Sequence, residues 1–280
     1  MARLSVLFPL LLALLAGAPA QAAPALPGPL VPAGWLATHL TDPGLAVIDL
    51  RPASAWQAGH IPGAIGADYT AVPWRVATAS GARGALPPPE ALAATIGRLG
   101  VADTDAVVLL SDDFDAAARV YWSFKVLGHG AVAILDGGPA TWTGAQARGA
   151  EPARAPASFT AHYTPALRAE LPEVTLATAT GAARLVDARP PAQYAAGHLP
   201  GALSLDQHGA LATPARLRPR EALAALFAPV GERPAIAYCN TGHFGAADWF
   251  VLSEVLHHPA KLYDGSMTEW TADPARPVAR

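Results

Sequence analysis

The sequence predicts an α/β protein built from two copies of one domain, each a parallel sheet with helices on both faces. Three observations carry this expectation. Residues 47–64 read VIDLRPASAWQAGHIPGA and residues 185–202 read LVDARPPAQYAAGHLPGA, so Asp49, Arg51 and His60 reappear as Asp187, Arg189 and His198 at one constant spacing. Repetition on this scale marks duplicated domains rather than a solenoid. Short apolar runs ending in Asp or Gly alternate with helical patterns, as in a parallel sheet covered on both faces. The 280 residues, 52% of them hydrophobic, suffice for two such cores.

In chain order, Arg3 gives a positive start, Leu4 to Ala16 is apolar, and AGAPAQAAPA follows with cleavage choices at Ala20 or Ala22. That order is the pattern of a secretory signal peptide over residues 1–22. The apolar run is shorter than the ~20 residues a spanning helix needs, so stable membrane insertion is not expected. The first copy runs from 23 to 145. Its strands are AVID, DAVVLL and AVAIL, with a helix over AARVYWSFKVLG. The stretch 146–165, rich in Pro, Ala and Arg, reads as a linker. The second copy, 166–280, repeats the plan with RLVD, PAIAY and KLY as strands and AADWFVLSEVLHH as a helix. The first copy is longer between its motifs, and the extra length falls within Ala67–Val107, which includes DYTAVPWR.

Net charge is −3, with no basic field that would favour nucleic acid. There is a single cysteine, Cys239, so no internal disulfide can form. It follows the strand AIAY and opens the loop CNTGHFG, ahead of a helix expected from about Ala246. Backbone N–H groups of such a loop and of the first helical turn converge on one spot, which favours a thiolate. Gly242 and Gly245 let the backbone curl there without Cβ clashes. Aligning Trp122 with Trp249 puts Asp112 at the cysteine's place in the first copy, which suggests one live site and one retired site.

The two D-x-R-P and A-G-H-[IL]-P-G-A motifs, the cysteine loop confined to the second copy and the closing YDGSMTEW resemble the tandem-domain rhodaneses, the thiosulfate and 3-mercaptopyruvate sulfurtransferases. The signal-peptide pattern predicts an exported protein, periplasmic once processed, and the resemblance implies an enzyme needing no cofactor. It would move sulfane sulfur from a small anionic donor to a thiol or cyanide through a Cys239 persulfide. A protein thiol is a further expected acceptor. Asn240, Thr241, Gly242, His243 and Phe244 would cradle the persulfide. The loop lacks the basic side chains of the thiosulfate type and the Cys-Gly-Ser/Thr-Gly of the mercaptopyruvate type. The family's G-R-[FY] arginine is also missing, because Ala192-Gln193-Tyr194 stands there.

Cations for an anionic donor are then sought elsewhere. His243 has no match in the first copy. Arg75 lies in the stretch without an equal in the second copy and is expected to reach the live site, the alternative being a solvated surface residue. His60 and His198 recur in both copies, which favours turn-fixing roles, with His60 a candidate to bind substrate across the interface. Arg51 and Arg189 are expected to pair with carboxylates inside each domain. Trp142 and Trp270 are expected to pack. A phosphatase loop would need an arginine to grip phosphate, and none occurs between Cys239 and Arg276. A sulfur carrier without turnover stays open as the alternative. No metal site is expected, because one Cys and the adjacent His257-His258 lack ligand spacing.

Overall fold

The computed structural model describes residues 22–280. The expected signal peptide, Ala22 aside, lies outside the described residues. The first domain holds β1 (Leu30–Val31), α1 (Ala33–His39), β2 (Leu45–Asp49), α2 (Ala53–Ala58), β3 (Ile65–Gly66), α3 (Pro89–Arg98), β4 (Ala106–Leu110), α4 (Phe114–Val126) and β5 (Val132–Leu135). Its sheet has the order β1-β5-β4-β2-β3, parallel throughout. The central strand β4 is buried at every residue, which is why it reads as an unbroken apolar run.

The second domain repeats the plan. It holds α5 (Leu171–Thr180), β6 (Arg184–Asp187), α6 (Pro191–Ala196), β7 (Leu203–Ser204), β8 (Leu211–Thr213), β9 (Arg216–Leu217), α7 (Arg220–Phe227), β10 (Ala235–Tyr238), α8 (His243–Phe250), β11 (Ala260–Leu262) and α9 (Ser266–Trp270). Its sheet runs β11-β10-β6-β7, all parallel, and a bridge from Arg168 to Leu262 takes the place of β1 at the edge. One π turn, Val251–Val255, continues α8.

The domains meet along α4 and α8. Every residue of α4 except Lys125 is buried, so this helix is enclosed on all sides rather than along one stripe. Phe250 receives Phe114 and Tyr121 edge-on, at 5.4 and 4.9 Å between ring centroids. Such pairs contribute about 0.5–1.5 kcal/mol each beyond burial. The Tyr121 hydroxyl donates to Glu254 Oε2 at 2.6 Å.

Each domain also covers the other's main loop. In the first domain the segment around the Val76–Ala85 bridge, within the extra length, lies on the second domain. There Leu86 N donates to Asp264 Oδ2 at 2.6 Å and Arg83 N donates to Thr268 Oγ1 at 3.2 Å. In return, the β8–β9 hairpin lies on the first domain. Phe114 N donates to Pro214 O, Gly137 N donates to Ala215 O, and Arg216 pairs with Asp136 at 3.3 Å.

The stretch 146–165 is fastened along the first domain rather than free. His60 and Ala147 exchange backbone hydrogen bonds, Ala157 N donates to Gly97 O, and His162 N donates to Leu127 O. Phe159 packs against Phe124 and His129. Its Pro/Ala composition blocks regular structure, while these bonds satisfy its backbone donors.

Candidate active site

Strand β10 delivers Cys239 to the mouth of the second sheet, where the residue is 1% exposed. The loop is fixed from below by α9: Cys239 N donates to Ser266 Oγ at 3.1 Å, Met267 N to Cys239 O at 3.0 Å, and Thr268 N to Asn240 O at 3.1 Å. Gly242 takes φ 75°, a left-handed conformation that glycine adopts without penalty, with the Asp264 backbone pressed against it. Helix α8 begins at His243, earlier than the sequence suggested. Among the described residues, the backbone N–H groups of Asn240, Thr241, Gly242, His243 and Phe244 have no acceptor outside α8. Unspent amides at a helix N-terminus carry partial positive charge and suit an anion.

Strand register corrects the expected counterpart of the cysteine. Asp49 pairs with Leu110 and Asp187 with Tyr238, so Ser111 is the equivalent of Cys239, and Asp112 that of Asn240. The tryptophan alignment failed because Trp122 lies eleven positions after Ser111 while Trp249 lies ten after Cys239, so the second copy is one residue shorter between strand end and tryptophan.

The repeated Asp–Arg pairs form inside each domain as expected. The Arg51 guanidinium grips Asp49 and the Gly59 carbonyl, while that of Arg189 grips Asp187 and the Gly197 carbonyl. Arg189 also donates to Asn240 Oδ1 at 3.3 Å, tying the motif to the live loop. Gln193, in the place of the missing arginine, accepts from Asn240 Nδ2 at 2.8 Å. Trp142 and Trp270 are buried packing residues whose indoles donate to the carbonyls of Ala145 and Pro277.

His60 does not make the interdomain reach considered for it. Its ring bonds the Trp56 carbonyl and Glu151, stacks on Trp56, and lines a cavity with Asp112 in its own domain. One stacked ring and bonds at both ring nitrogens leave it no free edge, and His198 repeats the stack on Tyr194 and the bond to its carbonyl. Tyr69 makes the reach instead. Its hydroxyl lies 3.0 Å from His243 Nδ1. Arg75 stacks over the Tyr69 ring at 4.7 Å, and among the described residues no carboxylate pairs with it. Burial pushes the Tyr69 hydroxyl up to about 12, against the pull of the Arg75 and Arg119 charges.

His243 is held from both sides, because its Nε2 lies 3.4 Å from Asp113 Oδ2. Burial raises the Asp113 carboxyl, but the contact with His243 and the backbone N–H groups of Asp115 and Ala116 outweigh it and leave the group below its usual range. Asp113, Asp115 and His243 bring ligand-type atoms within 4.8 Å of one another, a grouping the sequence hid. These side chains already have partners, His243 in a 3.4 Å contact with Asp113 and Gln207 donating to Asp115, so the cluster is a polar junction between domains. Arg119, fully buried and over Trp122, donates to the Gly84 carbonyl at 3.0 Å and so seats the covering segment on Thr241.

Comparison with known proteins agrees with this architecture. The chain is 32% identical over 275 residues to the 3-mercaptopyruvate sulfurtransferase of Escherichia coli K12, covering 89% of this chain and 96% of that protein. It is 29% identical to the sulfur carrier protein TtuD of Thermus thermophilus, covering 91% and 97%. The crystal structure of the 3-mercaptopyruvate sulfurtransferase SseA from Escherichia coli superposes with a TM-score of 0.76 at 30% identity, over 85% of this chain and 98% of that one. Residues 32–145 and 171–273 each match the rhodanese-like domain. The chain therefore belongs to the rhodanese family, as a protein of two tandem rhodanese-like domains.

Proposed function

We propose that this protein is a sulfurtransferase that takes sulfane sulfur from an anionic donor, thiosulfate or 3-mercaptopyruvate, onto Cys239 and passes it to a thiol or cyanide. The observation that carries this reading is the Cys239 loop, a buried thiol followed by five unspent amides that lead into α8. The Cys239 thiolate attacks the donor's outer sulfur, the bond to sulfite or to the pyruvate carbon breaks, and the electron pair leaves with that fragment. The amides of residues 240–244 hold the resulting persulfide anion. Arg75 binds the donor's anionic end. Both His243 nitrogens are already engaged, so that ring is not free to share this task.

The likeness to a sulfur carrier protein supports a protein thiol among the acceptors. The leader-like residues 1–22 support export to the periplasm with cleavage after Ala20 or Ala22. Among the described residues no helix is long and apolar enough to cross a membrane. N-terminal sequencing of envelope-fraction protein tests the export, and a full-length N-terminus refutes it. For the chemistry, intact mass after donor treatment is expected to rise by about 32 Da, one sulfur atom, in a covalent adduct. Cys239→Ser should remain folded and gain nothing. A serine variant that still turned over would exclude Cys239 as nucleophile, and loading without turnover on any acceptor would leave a carrier.

A further inference from the structure

Three residues from three separate segments meet at one end of the Cys239 loop. Tyr69 comes from the first domain after β3, Asp113 caps α4 of the same domain, and His243 opens α8 of the second. The Tyr69 hydroxyl lies 3.0 Å from His243 Nδ1 and Asp113 Oδ2 lies 3.4 Å from Nε2. A carboxylate facing Nε2 keeps a proton on that nitrogen, so the neutral ring offers a lone pair at Nδ1 and the tyrosine hydroxyl donates to it. The Asp113 carboxylate is fixed in turn, since its other oxygen accepts from Asp115 N at 2.9 Å.

The reading above needs something this constellation supplies. An acceptor thiol must lose its proton before its sulfur can attack a persulfide, since the thiolate is the nucleophile. The cradle of amides only donates hydrogen bonds and cannot accept that proton. We propose that Tyr69 is a catalytic residue of the second half-reaction, relaying the acceptor thiol's proton to His243, with Asp113 as the positioning residue that holds the ring. The inference rests on the sulfurtransferase reading. The acceptor S–H bond breaks and its proton moves to the Tyr69 oxygen as the tyrosine's own proton moves to His243 Nδ1. The pair left on the acceptor sulfur forms a bond to the outer sulfur of the Cys239 persulfide. The persulfide S–S bond breaks and its pair returns to Cys239 as thiolate. The imidazolium, steadied by Asp113, then releases its proton to the product persulfide or to water.

Burial keeps the Tyr69 hydroxyl neutral, which suits a relay rather than a resident phenolate. Its partner His243 belongs to the loop that Cys239 opens, four positions on, which places the hydroxyl at that loop. Facing the His243 ring are Asp113 and Asp115 from α4, and Tyr69 bearing Arg75. Arg119 acts on Tyr69 from behind, and the Asp206–His208 pair lies against Phe244. Among the described residues, Asp113 is the carboxylate paired with the ring, at 3.4 Å.

The test is discharge of persulfide loaded beforehand, so that the donor step is removed. Wild type and Tyr69→Phe are loaded with thiosulfate or 3-mercaptopyruvate, checked by intact mass, and mixed with dithiothreitol or with cyanide, which attacks as an anion and brings no proton. Tyr69→Phe should slow discharge to the thiol by about a hundredfold near neutrality, the scale of general acid–base catalysis. Discharge per cyanide ion should change at most about threefold, too little to reflect a lost proton-transfer group. As pH rises through the thiol's own ionisation, the gap between wild type and variant should close. Asp113→Asn, which keeps an acceptor for Asp115 N, should show the same split with smaller amplitude. Equal slowing with both acceptors, a gap that persists at high pH, or a Tyr69→Phe protein that cannot be loaded would each overturn the relay. Failure of the wild type to load with either donor would overturn the sulfurtransferase reading itself.

Discussion

Ser266 holds the backbone of Cys239 from a conformation that favours glycine. Its Oγ accepts from Cys239 N at 3.1 Å and donates to Tyr263 O at 2.8 Å, while its own φ is 53°. The corresponding residue of the first domain, opposite Ser111, is Gly138 at φ 64°. The second domain therefore carries a strained side chain where the first carries glycine, and the gain is an acceptor for the cysteine's buried N–H. Ser266→Ala keeps the strain and loses the bond. It should lower unfolding free energy by about 1–3 kcal/mol, the cost of a buried unpaired donor. Urea titration measures that loss, and slower sulfur loading should accompany it. A variant as stable as wild type would show that the bond contributes nothing.

Gly84 is the contact point of the covering segment. A methyl there would collide with the Thr241 carbonyl oxygen, and Arg119 holds the Gly84 carbonyl in place, so neither side can retreat. Gly84→Ala should cost about 1–3 kcal/mol of stability, as overpacking does. It should also reduce sulfur loading, because Thr241 belongs to the cradle. Gly63→Ala makes an informative comparison, since open space surrounds that Cβ while φ is 74°, so only backbone strain is added. Loss of loading in Gly84→Ala alone would place the effect at the interface.

The strands were legible because both sheets are buried on two faces and their residues stand as apolar runs closed by Asp187, Asp49 or Gly137. The repeated motif revealed the duplication, and the lone cysteine before a glycine-bearing loop revealed the centre of the site. Tyr69, Asp113, Gly84 and Arg119 stayed hidden for one reason. Tyr69, Asp113 and Gly84 meet the loop from the other domain, more than a hundred positions away, and Arg119 acts only through Gly84, so nothing local marks any of them. Arg75 was found only because it stood in length that one copy had and the other lacked. Ser266 is concealed by its chemistry, since a serine at positive φ leaves no trace in sequence. His60 misled because a motif repeated in a copy without the cysteine reports the fold rather than the reaction.

Arg75 is expected to govern donor use. It is a cation without a carboxylate partner among the described residues, stacked on the tyrosine that touches the Cys239 loop. Losing a charge-assisted contact costs roughly 1.5–3 kcal/mol, which is about ten- to a hundredfold in kcat/KM. Arg75→Ala should show this for thiosulfate and 3-mercaptopyruvate, and Arg75→Lys should recover part of it. Alkylation of Cys239 by neutral iodoacetamide should proceed at nearly the wild-type rate in both. Wild-type kcat/KM in Arg75→Ala would remove Arg75 from the donor site.

The last expectation concerns the seam between α4 and α8. Asp115 is buried, with one oxygen bonded by Gln207 and the other unpartnered. Burial, then the nearby charges of Asp113 and Asp206, push its carboxyl up to about 8. Asp248 on the facing helix is wholly buried with both oxygens unpartnered among the described residues, and burial raises it well above the ordinary range too. An acid whose folded value exceeds its unfolded one keeps its proton on folding, so the native state binds more protons than the unfolded chain. Its contribution to stability is therefore complete at acid pH and shrinks as pH rises from the ordinary carboxylate range to about 8, where it levels off. The slope is at most about 1.4 kcal/mol per pH unit for one group. Asp115→Asn removes the titration while keeping an oxygen for Gln207. Its stability relative to wild type should rise steadily across that window and stay constant above it, as read by urea unfolding at several pH values. A difference independent of pH would mean that Asp115 is ionised in the folded protein, with a counter-charge satisfying its free oxygen.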